Sequence, residues 1–247
     1  MLAETSTGVT VLDGEDALDE AGFAVGFVGD LIPDGGDEVW IGAPGHANDA
    51  GRTYVVSGAF LWGNLPVDLG DVGGVPEAVP GFTLDGITPG DRAGVAVAAG
   101  DLDGDGVGDL TFGAPGVGVE LVLSADGGAF AVDAQILAED TGDLFGRTLA
   151  IGDLDQDGAD DLVIGAPNFG AGSGKVYVFL GPLSPLTPPS ATAASATLVA
   201  AGGALDSGGS ALAIADVTGD GCPDLAIGAS DHDLFAGAVY VFPGCSF

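Results

Sequence analysis

Residues 101–109, DLDGDGVGD, place carboxylates at positions 1, 3, 5 and 9 of one short stretch. These are Asp101, Asp103, Asp105 and Asp109, and the main-chain carbonyl of Val107 falls at position 7. Alternating hard oxygen donors on a tight loop suit a cation that needs about six to eight oxygens at about 2.3–2.6 Å, which is calcium. Magnesium demands a more regular octahedron with fewer protein ligands. Gly104 and Gly106 let the loop turn sharply, Gly106 being free to take a positive φ. An EF-hand shares the early spacing but needs a bidentate Glu at position 12, and this chain has none there, Phe112 and Gly113 following instead. The stretch also lies between two strand-like runs, not two helices, which excludes a helix-opening sensor.

The loop has three relatives in the chain. Asp153, Asp155, Asp157 and Asp161 repeat it in full, with the carbonyl of Ala159 at position 7. Asp216, Asp220 and Asp224 keep three of the acids; Thr218 offers a hydroxyl at position 3 and Cys222 the carbonyl. The first copy has Asp30, Asp34 and Glu38 with the Gly36 carbonyl, and Ile32 stands where the position-3 ligand belongs. Two to four calcium ions per chain are expected.

The first aspartates recur after 71, 52 and 63 residues, too long for a short solenoid coil and suited to propeller blades. An apolar run precedes each loop (FAVGFVG, VAVAAG, TLAIG, ALAIA) and a second follows it (VWIGAP, LTFGAP, LVIGAP, LAIGAS). A third comes later (RTYVVSG, VELVLS, KVYVFLG, AVYVFPG), and GFTLDG, AQILAED and ATLVAAG fit an outer strand. All are strand-length, β-branched or aromatic, and bounded by Gly, Pro and Asp. The pattern predicts an all-β propeller in one domain over 1–247, of four blades with four antiparallel strands each. The blades run roughly over 21–86, 93–139, 145–201 and 208–247. Residues 8–14 are expected to complete the last blade, because VTVLDGEDALDEAGF matches the outer-strand phase of GFTLDGITPGDRAGV. The stretches LWGNLPVDLGDVGGVPEAVP and PLSPLTPPSATAAS read as loops before outer strands.

Four Lys+Arg against 37 Asp+Glu give a net charge of −33. Such a surface repels phosphate backbones and anionic membranes, so nucleic acid is not an expected partner. No apolar run is long enough to span a bilayer. Residues 1–20 lack a signal-like apolar region, which fits a mature domain or an excised part of a longer protein.

The G-D-x-D-x-D-G-x-x-D-L-x-[IF]-G-A-P units, with LFG at 144–146 and VYVF strands, resemble the FG-GAP repeats of integrin α-subunit propellers and their bacterial relatives. The resemblance covers essentially the whole chain. It implies a β-propeller with calcium between the first two strands of a blade, an extracellular or cell-surface location, and recognition of a protein or glycan through the opposite face. The chain departs from the seven-bladed integrin pattern in showing four units, and FG itself stands only at Phe145-Gly146. In the meander this fold implies, Cys222 and Cys245 end on one rim of the last blade, so a disulfide is expected. The opposite face would present His46, Asn48, Arg52, Phe169, His232 and Phe235 to a partner. No nucleophile elbow, zinc-type histidine cluster or phosphate loop is present, so the chain is expected not to be an enzyme. The readings that stay open are a binding module, a scaffold module of a larger surface protein, and a calcium-dependent hydrolase. The assembly is expected to be a monomer or a strand-swapped dimer.

Overall fold

The computed structural model describes residues 10–32, 34–61, 66–73, 79–122, 134–184, 190–199 and 206–245. Strand β1 (Leu12–Asp13) comes first. β2 (Ala24–Val28), β3 (Glu38–Ala43) and β4 (Arg52–Val56) follow, then β5 (Val67–Asp68) and β6 (Gly81–Asp85). The next sheet holds β7 (Ala96–Gly100), β8 (Asp109–Ala114), β9 (Gly118–Val122) and β10 (Ala134–Leu137). After it come β11 (Thr148–Gly152), β12 (Asp161–Ala166), β13 (Lys175–Phe179) and β14 (Ala196–Val199). The last sheet is β15 (Gly208–Ala215), β16 (Asp224–Ala229) and β17 (Ala238–Phe242). Within each of these four sheets, strands pair antiparallel with their neighbours, in the orders β2-β3-β4-β6, β7-β8-β9-β10, β11-β12-β13-β14 and β15-β16-β17. These are the blades of a β-propeller.

Burial explains the strand sequences. β8 (DLTFGA) and β12 (DLVIGA) are buried at every residue, because a blade lies against each face of their sheets. A strand covered on both sides reads as a near-continuous apolar run. At the two ends of the array the pattern relaxes to alternation. β2 and β17 bury only every second residue, or partly so, because among the described residues one face of each has no neighbouring blade.

Three apolar clusters join consecutive blades. Trp40, Val55 and Leu84 of the first blade meet Val97, Leu110 and Phe112 of the second. Val119 and Ile136 of the second meet Phe145, Leu162, Ile164 and Tyr177 of the third, with Phe145 edge-on to Tyr177 at 4.9 Å. Val163, Val176 and Val178 then meet Leu225, Ile227 and Tyr240 of the fourth.

The closest approach between blades is glycine against glycine. Gly94 and Gly146 stand just before a first strand and Gly209 at the start of one, each at φ near +87 to +89°. Gly94 and Gly146 donate their N–H to Gly113 and Gly165 of their own blades, at 3.1 Å each. On the other side, a Cβ at Gly42, Gly113 or Gly165 would run into the carbonyl of Gly94, Gly146 or Gly209 of the next blade. One glycine supplies the left-handed turn and its partner supplies the empty space.

The opening strand does not complete the last blade. β1 pairs in parallel with β5, Leu12 opposite Val67, and the fourth sheet has three strands among the described residues; residues 8 and 9 lie outside them. The reason is the insertion after β4. Its Val67, Leu69, Val72 and Val79 are buried over Ile41, Tyr54 and Val56 of the first blade, with Leu12 alongside. The insertion offers the opening strand an apolar neighbour close in sequence, so Leu12 docks there.

Replacing Gly113 by Ala forces a methyl into the Gly146 carbonyl, so G113A is expected to lose about 1–3 kcal/mol. That is a melting midpoint roughly 2–12 °C lower for a chain of this size. Gly29, which has open space around it and no positive φ, is the control: G29A should melt with the wild type by circular dichroism.

Candidate metal centres and the opposite rim

Because the strands alternate in direction, the Asp-rich loops between first and second strands lie at one end of the blades. The loops between second and third strands lie at the other. The Asp-rich loops share one construction. The position-9 acid is buried and turns one oxygen back to cap the loop's own backbone. Asp109 Oδ2 accepts from Leu102 and Asp103 N–H at 2.8 and 3.3 Å, and Asp161 Oδ2 from Leu154 N–H at 2.7 Å. Asp224 Oδ2 accepts from Val217 and Thr218 N–H at 2.9 Å each, and Glu38 Oε2 from Leu31 and Ile32. The position-1 acid accepts from later glycines: Gly104 and Gly106 for Asp101, Gly158 for Asp153, Gly219 and Gly221 for Asp216, Gly35 for Asp30. Position-7 N–H groups of Gly36, Val107, Ala159 and Cys222 donate to the side chains of Asp34, Asp105, Asp157 and Asp220, an Asx-type turn.

This folding leaves carboxylate oxygens converging in three loops. Asp101, Asp103 and Asp109 each bring one ligand atom within 4.8 Å of the others, as do Asp153, Asp155 and Asp161, and Asp30, Asp34 and Glu38. Two oxygens on opposite sides of a calcium ion stand about 4.6–5.2 Å apart, so the triads are of the size that ion needs. Asp105 and Asp157 are not in those triads, and no such triad of acids forms at Asp216, Asp220 and Asp224 among the described residues. In the first loop Asp34 replaces the missing position-3 ligand. There Glu38 is fully buried and its Oε1 has no hydrogen-bond partner. A buried, unpaired carboxylate oxygen is costly unless something positive meets it, so the donor set fits a hard divalent cation. Burial pushes the carboxyls of Glu38, Asp103 and Asp161 above their ordinary range, while neighbouring acids add to the effect. Asp224 is held below its range by N–H bonds from Gly244 and Thr218.

Cys222, in the fourth loop, is bonded to Cys245 just after β17. The Cys245 N–H donates to Leu154 O at 2.8 Å, which ties the end of the fourth blade to the third loop.

At the other rim, three of the loops between second and third strands contain successive left-handed residues: Ala47, Asn48 and Asp49; Gly170 and Ala171; Asp233, Leu234 and Phe235. The expected partner-facing residues divide sharply. His46 Nδ1 lies 2.8 Å from Asp19 Oδ2, with its side chain mostly buried. Arg52 is held by Asp85 and Glu15, and its bond to Asp85 raises its pKa. Phe169 packs on the core under the Lys175 ammonium, 4.6 Å from the ring centre. His232 stands 3.4 Å from Asp206 Oδ2. Asn48 is exposed, as is Phe235, with Leu234 beside it.

Sequence reading missed four buried aspartates beneath this rim: Asp19, Asp91, Asp143 and Asp206. Each carbonyl accepts from the loop above it, from Gly45, Gly116, Asn168 and Asp231 at 3.0–3.4 Å. Their signal is the spacing D-x-x-G before every first strand.

A family model described as FG-GAP repeat matches residues 145–179 and 208–242. The chain carries FG-GAP repeats. This FG-GAP chain is 31% identical to integrin alpha-PS2 of Drosophila melanogaster over 227 residues, covering 83% of the chain and 15% of that protein. It is 33% identical to integrin alpha-4 of Xenopus laevis over 162 residues, 60% of the chain and 15% of the integrin. It is also 35% identical to the phosphatidylinositol-glycan-specific phospholipase D of Bos taurus over 158 residues, 56% of the chain and 18% of that protein. The FG-GAP chain thus spans less than a fifth of these relatives.

Removing the position-9 acid strips capped N–H groups of their partner as well as a candidate metal ligand. D161A should therefore lose about 1–3 kcal/mol of stability even in chelator. D157A, at the exposed loop tip, should melt close to the wild type there. Chemical denaturation of both variants in EGTA checks the difference.

Proposed function

We propose that this chain is a calcium-stabilised, extracellular binding module that recognises a protein or glycan through the rim opposite the metal loops. The observation that carries the reading is the division of labour between the two rims. One rim gathers carboxylate triads around the bends between strands, with an orphaned Glu38 oxygen in one of them. The other holds non-glycine residues in left-handed turns, a conformation that costs energy and persists where surrounding structure over-determines it. That strain presents Leu234 and Phe235 to solvent, 91% and 79% exposed, with Asn48 on the first blade. Exposed aromatic and apolar groups on rigid turns suit recognition. The similarity to integrin α subunits supports adhesion or ligand binding, and the disulfide fits an oxidising, extracellular setting.

In this reading calcium holds first and second strands together by ligands offered only in the folded chain. Asp101, Asp103 and Asp109, then Asp153, Asp155 and Asp161, then Asp30, Asp34 and Glu38 would hold the ions. Asp216, Thr218, Asp220 and Asp224 offer a fourth, weaker set. Ligands that bind only the folded state raise its midpoint by mass action. Millimolar calcium should therefore raise the melting midpoint relative to EGTA, and native mass spectrometry should count two to four ions per chain. An identical midpoint in both solutions defeats the structural-calcium part. Recognition is tested separately, on glycan arrays and immobilised extracellular proteins. Binding by the wild type should fall about tenfold or more in L234S/F235S without a change in midpoint.

A second reading has one specific support. The similarity to a phospholipase D by name fits a propeller that accompanies a catalytic domain. Turnover of a glycosylphosphatidylinositol substrate by this chain alone would favour a hydrolase over the binding module.

A further inference from the structure

The second and third Asp-rich loops are bonded to each other, and the bonds fall on the candidate metal ligands. Asp160 stands at position 8 of the third loop, outside its triad of Asp153, Asp155 and Asp161. The Asp160 carboxylate accepts from the Asp101 N–H at 2.9 Å, and the Asp160 N–H donates to the Asp101 carbonyl at 2.7 Å. Both bonds grip the main chain of the position-1 acid in the second loop. The Asp101 side chain in turn accepts from Gly104 and Gly106, so its placement directs the path of that loop.

A second strut runs beside the first. Leu183, between β13 and β14, donates its N–H to Leu102 O at 2.7 Å, and the Leu102 N–H caps Asp109 Oδ2 at 2.8 Å. Two residues earlier, the Gly181 N–H donates to Asp161 Oδ1 at 2.9 Å. The position-9 acids of the two loops are thus linked through the short segment 181–183. Leu102 and Leu183 are both buried, which leaves water little room to compete for these bonds.

The two-way bond is particular to this pair of loops. Position 8 of the second loop is Gly108, which carries no carboxylate to offer the first. Position 8 of the fourth loop is Pro223, which has neither a carboxylate nor an N–H to offer the third. Of the three, Asp160 alone supplies both an acceptor and a donor.

We propose that the second and third loops bind their cations cooperatively, with Asp160 as the positioning residue that couples them. The inference rests on the reading of these loops as calcium sites. An ion held by Asp153, Asp155 and Asp161 fixes the backbone around Asp160, and Asp160 then fixes Asp101. The ordering cost of the second loop is partly met before its own ion arrives, and linkage makes the effect mutual. Repulsion between ions in adjacent loops opposes the coupling and is screened by salt, so physiological ionic strength favours it.

A calcium titration of the whole chain, followed by amide NMR, tests this. Gly35, Gly106 and Gly158 report the first, second and third loops, and Gly106 and Gly158 should titrate together. D155A, which strips a ligand from the third loop, should move the Gly106 midpoint to about fivefold or more higher calcium and leave Gly35 in place. D160A should shift Gly106 likewise, whereas D160N, whose amide oxygen still accepts from Asp101, should not. D155A/D160A should shift it no further than D155A alone. A Gly106 midpoint indifferent to D155A overturns the proposal, as does a D160A shift that Gly35 matches. A chain with no calcium-dependent shift at any of the three glycines defeats the calcium reading itself. Independent midpoints at Gly106 and Gly158 leave that reading standing and remove the coupling.

Discussion

The architecture depends on how closely one blade can approach the next, and that distance is set where two glycines touch. The apolar side chains of Trp40, Val55, Val97 and Phe112 interdigitate only because the Gly42 and Gly94 backbones meet without a methyl between them. Blade sheets packed at this closeness exclude water along both faces, which is why β8 and β12 can be apolar at nearly every position. The glycine before each first strand does double duty. Its left-handed φ aims the chain into the strand, and at Gly22, Gly94 and Gly146 its N–H donates to the glycine of its own second strand. The repeat is therefore a steric device first. Its metal chemistry is fitted to the bend the device creates.

This ordering explains which parts of the molecule could be read from residues alone. The Asp-rich loops and the strands around them are local: their ligands lie within nine residues and their strands alternate with visible turn residues. The blades and three converging triads followed from that. What escaped was long-range. Arg52 and His46 look like free recognition groups in a string of letters. In the fold, Arg52 meets Glu15 and Asp85, 37 and 33 residues away, and His46 meets Asp19, 27 residues away. In a chain so short of cations, an acid finds each basic side chain before a ligand can. The buried row of Asp19, Asp91, Asp143 and Asp206 escaped for another reason. It works largely through main-chain carbonyls, and a carbonyl leaves no trace in residue type. The opening strand went elsewhere because a phase match describes what a strand could pair with, while burial decides what it does pair with. Val67 and Leu69 were nearer than the last blade.

The acidity bears on the two rims differently. Arg52, Arg92 and Lys175 are all engaged with carboxylates, and Arg147 lies over the Phe23 ring at 5.6 Å. Little positive charge is left over to offset the metal-loop carboxylates, so at that rim the balance must come from bound cations or from protons. Burial already pushes Glu38, Asp103 and Asp161 toward the protonated form, and a divalent ion removes that pressure by replacing the proton. At the other rim the buried aspartates are met from within: His46 approaches Asp19, the Thr88 N–H donates to Asp91, and Lys175 faces Asp143. The rim proposed for recognition is thus held largely by groups inside the chain. The opposite rim is built from bends that concentrate like charge, and in the proposed reading bound cations relieve that repulsion. If calcium occupies these loops as proposed, its loss should loosen the first-to-second-strand bends before it disturbs the turns that carry Asn48, Leu234 and Phe235.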